Sequence, residues 1–349
     1  MLARSVGSPG SSLQLTPRLK TPIKDLVAYF GGPASDVYFQ RSQATLEGEG
    51  LDPVVTLDCF SDRAGVLCGI KDVKELLLEV LGEGDQGWAL AEGATIAKRE
   101  TVLRITARYS HFGVYETAVL GTLASCSGWA TAAREVVEAA GGTRVISFGA
   151  RHVHPLVGPI MEYSAIVGGC AGCATPLGAE LAGLAAPSGT MPHAMMLIFG
   201  DSVKAALAFD RHMPDDVLRI VLVDTFKDEA EEALRVAEAM GARLRGVRLD
   251  TPFERGRVTV ELVKEVRARL DQAGHPGVGI FVSGGLSVDR IRQFVEAGAP
   301  VDSFGVGMSI SAAPPVGFTI DIKEVDGRPL AKRGRIPGVA EAPRLERFL

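Results

Sequence analysis

From residue 144 to residue 309 the chain repeats one pattern: a short apolar run, a turn carrying glycine or a charged residue, then a helix-like stretch. Arg144-Val-Ile-Ser-Phe-Gly149, Leu218 to Val223, Gly246-Val-Arg-Leu-Asp250, Gly279-Ile-Phe-Val-Ser-Gly-Gly285 and Val301-Asp-Ser-Phe-Gly-Val-Gly307 are its clearest copies. Strands that stay apolar without alternation are buried on both faces, the condition of a parallel sheet. A unit of about 30 residues suits a right-handed strand–helix–strand crossover. Strand ends at 149, 190, 224, 250, 284 and 306, with one more near 168, give six or seven units. The expected fold is α/β: an incomplete, six- to seven-stranded barrel of TIM-like type over residues 113–313.

The rest of the chain lacks this rhythm. Residues 21–112 mix short strands (Val54 to Phe60, Gly65 to Ile70, Thr101 to Tyr109) with an amphipathic helix at Val73 to Leu81. They read as a separate α+β sandwich domain. Residues 1–20, rich in Ser, Pro and Gly, read as a flexible lead-in. After Pro314, Phe318 to Val325 alternates apolar and polar and Asp326-Gly327 turns. Residues 314–349 are thus expected to return to the N-terminal sheet as a hairpin.

In a parallel barrel every strand's C-terminal end faces one opening. Arg151, His152, His154, Thr190, His193, Asp224, Arg248 and Asp250 would all face that mouth. The last two turns add Ser283, Gly284 and Gly285, then Gly305, Gly307 and Met308. Glycine lets backbone N–H groups approach a ligand, and a helix start offers unpaired donors, so paired glycine turns suit phosphate. Cations, two acids and phosphate amides together suit a sugar phosphate with a second anionic group.

Composition narrows the function classes. A net charge of −5 with no basic tract argues against nucleic acid, and no apolar run reaches membrane-spanning length. Five cysteines in an irregular pattern suit reduced thiols in the cytoplasm. Cys170 and Cys173 form a lone C-x-x-C in a small-residue stretch, read as packed thiols, so no zinc is expected.

A further set of motifs occurs in order along the chain: Ser35-Asp-Val-Tyr38, Tyr115-Glu-Thr117, Phe148-Gly-Ala-Arg151, Gly189-Thr-Met-Pro-His193, Val223-Asp-Thr225, Val247-Arg-Leu-Asp-Thr251, Ser283-Gly-Gly285 and Phe304-Gly-Val-Gly307. The ending Asp321-Ile-Lys-Glu-Val-Asp-Gly-Arg-Pro-Leu-Ala-Lys-Arg-Gly334 follows them. The series, over roughly residues 30–338, resembles the nicotinate phosphoribosyltransferases, type II phosphoribosyltransferases, especially their shorter archaeal-type branch.

That resemblance implies transfer of phosphoribose from phosphoribosyl pyrophosphate (PRPP) to nicotinate, giving nicotinate mononucleotide and pyrophosphate in NAD biosynthesis. It implies Mg²⁺, ATP as a co-substrate acting through a phosphohistidine at His193, and a homodimer or higher oligomer. Phe148 and Tyr38 would sandwich the pyridine ring, Tyr38 coming from the partner subunit. Arg151 and Arg248 would meet anionic groups, with Thr190 beside them. Asp224 and Asp250 would hold ribose hydroxyls or magnesium, and the two glycine turns the 5′-phosphate. Glu254 and Ala171 depart from the branch's usual residues, and Arg255 and Arg257 would compensate for Glu254 in holding pyrophosphate. Ala171 and the pair His152 and His154, where a cluster of Arg and Lys would suit two carboxylates, favour nicotinate over nicotinamide and quinolinate. The alternatives are a decarboxylating quinolinate phosphoribosyltransferase, another phosphate-binding barrel enzyme, or a nucleotide-binding protein without activity.

Overall fold

Two hydrophobic periods build two six-stranded sheets. The computed structural model describes residues 26–349, and the lead-in expected over residues 1–20 lies outside them. Strands β1 (Val54–Ser61), β2 (Gly65–Val66), β3 (Gln86–Ala89), β4 (Thr95–Ile96) and β5 (Thr101–Arg108) precede a long helix, Glu116–Ala139. Then come β6 (Arg144–Ser147), β7 (Gly172–Cys173), β8 (Ile220–Leu222), β9 (Gly246–Leu249), β10 (Gly279–Val282) and β11 (Ser303–Val306). The chain closes with β12 (Phe318–Val325), β13 (Arg328–Pro329) and β14 (Glu346–Arg347).

The N-terminal sheet has six strands in the order β13-β12-β1-β5-β3-β14, and its pairings are antiparallel. Val55, Leu57 and Cys59 of β1 face the helix Ile70–Val80, which buries Ile70, Val73 and Leu77 along one stripe. The intervening Thr56 and Asp58 are buried too, because the C-terminal tail covers the opposite face. Arg104 grips Asp58 there at 2.6 and 2.9 Å and also donates to the Ala340 carbonyl. Asp326 and Gly327, at φ 47° and 70°, make the tight turn that leads β12 into β13.

The second sheet is parallel, in the order β7-β6-β11-β10-β9-β8. Val221, Leu222, Val247, Leu249, Ile280, Val282, Phe304 and Val306 are almost wholly buried, since side chains pack on both faces. The curled sheet stays open between β7 and β8, an incomplete barrel of six strands beside a separate α+β unit. The strand expected before Thr190 is not formed. Pro187 and Pro192 bracket that segment and lack N–H donors, which limits its ladder, while Ser188 N–H donates to the Cys173 carbonyl at 2.7 Å. The strand expected near 168 is the two-residue β7.

The helix Glu116–Ala139 joins the two units. After the barrel, the chain crosses this helix at Gly128, where a Cβ would lie 2.6 Å from the Pro314 carbonyl oxygen. Val316 N–H then donates to the Ala124 carbonyl at 3.0 Å, which delivers β12 alongside β1. Glu116, in the helix's first turn, is half-buried; burial first and the neighbouring Asp321 second push its carboxyl up to about 7 from 4.5. Folding thus favours its protonated form. The stability it contributes is full below about pH 4.5 and is lost as pH rises through about 7. Glu116→Gln should therefore flatten the loss of stability across that window, read as urea midpoints against pH.

Candidate functional site

The barrel mouth is assembled from strand ends. Arg248 sits within β9, Asp250 just after it, Ser283 after β10 and Asp224 after β8, while His193 opens the helix His193–Phe199. Arg248 ties these elements together. Its Nε donates to Ser283 Oγ at 3.1 Å, Nη1 to Thr190 Oγ1 at 2.6 Å and Nη2 to Asp250 Oδ2 at 3.2 Å. Ser283 Oγ donates to the other Asp250 oxygen at 2.8 Å. The guanidinium also lies over the Phe148 ring, 5.4 Å from its centroid. Five expected residues, Phe148, Thr190, Arg248, Asp250 and Ser283, are thus one connected group.

His193 and Asp224 adjoin it. His193 Nε2 is 2.9 Å from Asp224 Oδ2, and Nδ1 is 4.0 Å from Asp250 Oδ2. Burial holds the Asp224 carboxyl above its ordinary value, opposed by the His193 bond and reinforced by Asp250. Asp224 Oδ1 and Thr225 Oγ1 are buried and make no hydrogen bond among the described residues. Two buried oxygens without a partner among the described residues suit a ligand's hydroxyl or a hard cation.

The two glycine turns are not equivalent. Gly284 and Gly285 adopt φ 91° and 61°, a conformation that side chains resist. A Cβ on Gly284 would meet Asp250 Oδ1 at 2.9 Å, and one on Gly285 would overlap the Arg257 guanidinium. Gly305 and Gly307 serve side chains instead. A Cβ on Gly305 would lie 2.4 Å from Phe148 Cε2, and one on Gly307 2.6 Å from His152 Cε1. The second turn is glycine because two rings rest on it. Met308 is exposed at the start of a helix of only four residues, Met308–Ser311.

Two expected residues stand apart. Arg151 is exposed and makes no hydrogen bond or ion pair among the described residues. Tyr38 is 57% exposed on the helix Val37–Gly48 and lines a groove with Tyr109 and Ile322 of the N-terminal unit, away from Phe148. His152 hydrogen-bonds Ser311 Oγ at 3.2 Å, and burial, then Arg151, lowers its pKa. Cys170 and Cys173 are buried, and burial pushes their thiols up to about 12 and about 11.

The loop after β9 adds further cations, Arg255 and Arg257, the pair set against Glu254 in the sequence. Arg257, a non-glycine residue at φ 66°, donates from Nη1 to the Gly285 carbonyl at 2.8 Å and lies over the Phe253 ring. Arg255 approaches buried Glu229 at 3.6 Å, and Glu229 also accepts from Thr251 Oγ1 at 2.8 Å. Among the described residues, no helix is long and apolar enough to cross a membrane.

Residues 129–321 match the family described as quinolinate phosphoribosyl transferase, C-terminal domain, and residues 36–127 match its N-terminal domain. The chain is similar to the crystal structure of nicotinate-nucleotide pyrophosphorylase from Pyrococcus furiosus, at 42% identity and a TM-score of 0.84. That match covers 92% of this chain and 82% of the other. A nicotinate phosphoribosyltransferase of Mycobacterium tuberculosis, pncB2, is 35% identical over 230 residues, 65% of this chain and 48% of that protein. The carboxylating nicotinate-nucleotide pyrophosphorylase of Homo sapiens is 29% identical over 249 residues, 70% of this chain and 75% of that protein. The chain spans about half the length of the first of these curated relatives.

These matches correct two expectations. The resemblance to nicotinate phosphoribosyltransferases gives way to the quinolinate family, which matches both parts of the chain. The ATP-coupled enzyme falls with it. The motifs misled because strand-end charged residues and glycine turns such as Arg248, Asp250, Gly284 and Gly285 do not encode a base. Geometry also weighs against a phosphohistidine: Nε2 of His193 is engaged by Asp224, and a phosphoryl group on Nδ1 would face the Asp250 carboxylate.

Proposed function

Because the chain belongs to the quinolinate phosphoribosyl transferase family, we propose that it transfers phosphoribose from PRPP to a pyridine dicarboxylate of the quinolinate type, with release of pyrophosphate and CO₂, in NAD biosynthesis. The observation that carries the reading is Arg248. One guanidinium, anchored to three elements and stacked near the Phe148 ring, fits a flat aromatic anion. A second carboxylate needs further cations. The exposed Arg151 and the loop's Arg255 and Arg257 meet that need, which the two histidines after Arg151 do not.

In the proposed reaction the ring nitrogen bonds to ribose C1′ as the bond from C1′ to pyrophosphate breaks. The carboxyl next to the nitrogen then leaves as CO₂. Its electron pair stays on the ring carbon beside the now cationic nitrogen, and a proton from water completes the mononucleotide. Placement and charge carry the rate. Gly284 and Gly285 present backbone to the 5′-phosphate, Asp250 orients Arg248, and Asp224 faces a ribose hydroxyl. Magnesium fits as an ion arriving with PRPP, since Asp224 Oδ1 offers a carboxylate oxygen and phosphates supply the rest. Bound there, it would offset charge on the leaving pyrophosphate. Tyr38 would meet the base only from a second copy.

The test is to incubate the chain with PRPP, Mg²⁺ and quinolinate, nicotinate or nicotinamide in turn, and to follow mononucleotide and CO₂. Quinolinate should give the highest kcat/KM, with one CO₂ per mononucleotide. Turnover of nicotinate with none of quinolinate would overturn the dicarboxylate reading.

A further inference from the structure

Away from the barrel mouth, two thiols from different elements meet where the N-terminal unit joins the long helix. Cys68, just before the helix Ile70–Val80, is fully buried, and Cys126, on the helix Glu116–Ala139, is 2% exposed. Their backbones are latched together. The Cys68 N–H donates to Ser127 Oγ at 3.0 Å, and that hydroxyl makes a second contact to the Cys68 carbonyl at 3.3 Å. Gly69, at φ 86°, brings the turn so close that a Cβ there would lie 3.2 Å from Cys126 Cβ and 3.3 Å from its Sγ. A disulfide needs Cα atoms within about 7 Å, and contacts this tight one residue from Cys68 suit that reach.

The two thiols hydrogen-bond each other, which pushes Cys68 far up and draws Cys126 down. Tyr163 and Val167 pack against the pair's small apolar cluster, and both also line a surface cavity of about 560 Å³ with Lys71 and Glu92. The pair's cluster therefore shares two side chains with the wall of a surface cavity.

We propose that Cys68 and Cys126 are a redox-active dithiol that closes to a disulfide with peroxide, tying the N-terminal unit to the long helix. The Cys126 sulfur attacks a peroxide oxygen, the O–O bond breaks, and Cys126 becomes a sulfenic acid while the departing hydroxide takes the Cys126 proton and leaves as water. The Cys68 sulfur then attacks the Cys126 sulfur. The S–S bond forms, the S–O bond breaks, and a second water leaves with the Cys68 proton. Two thiols are oxidised and one peroxide is reduced to two waters.

The full chain is exposed to hydrogen peroxide, unfolded, alkylated and mapped by mass spectrometry. The free thiols should fall from five to three, with one peptide pair joining residues 68 and 126 and released by dithiothreitol. Cys68→Ser should instead leave a Cys126 sulfenic acid that dimedone traps. Five alkylated thiols after exposure, or a bridge confined to Cys170 and Cys173, would overturn the proposal.

Discussion

Arg248→Lys should lower kcat/KM by about 10²- to 10³-fold, the range typical for removing one well-placed transition-state donor. The swap keeps the charge, so a residue acting as a mere point cation would tolerate it. Arg248 is held otherwise. Its three nitrogens reach Ser283, Thr190 and Asp250 at once, and its flat face lies toward Phe148. A lysine ammonium cannot span three partners in one plane or stack on a ring, and it leaves Asp250 partly unpaired. Asp250 would keep the Ser283 hydroxyl at 2.8 Å, so the variant should fold with a melting temperature near that of the parent. Steady-state kinetics with base and PRPP varied separately provide the check. A loss below tenfold would remove Arg248 as the grip on the anionic base.

Much of the barrel was legible because burial on both faces leaves an unmistakable mark. Val247, Leu249, Ile280, Val282, Phe304 and Val306 are apolar without alternation since packed helices or core cover each side. The segment before Thr190 deceived because it ends like the others, while Pro187 and Pro192 limit the ladder. Gly284 and Gly285 are glycine because φ is positive there, but Gly305 and Gly307 have a different cause. There the rings of Phe148 and His152 press on the backbone, a contact between distant positions that no local pattern records. The base was not legible. Strand-end cations and glycine turns belong to any pocket that holds phosphoribose, and the cations suited to a second carboxylate sit on an irregular loop. Arg257 reaches Gly285 from that loop through a φ of 66°, a bend without a sequence signature.

Gly284→Ala should weaken PRPP binding by about 10- to 100-fold, some 1.4 to 2.7 kcal/mol. Two effects act together. A φ of 91° resists any side chain, costing on the order of 1–3 kcal/mol of stability. The new methyl would also stand 2.9 Å from Asp250 Oδ1, the oxygen that accepts from Ser283. Asp250 must then move, and Arg248, bound to its other oxygen, moves with it. A control separates strain from site. Gly274 has nearly the same φ, 84°, in the turn after the helix Val260–Gln272, and a Cβ there would meet nothing within 4 Å. Gly274→Ala should carry the same backbone strain and leave PRPP affinity unchanged, while Gly284→Ala loses both stability and affinity. Calorimetric titration of both variants with PRPP and Mg²⁺ makes the comparison. If the two bind PRPP alike, the first glycine turn is only a tight bend, and the phosphate must be held by the arginines alone.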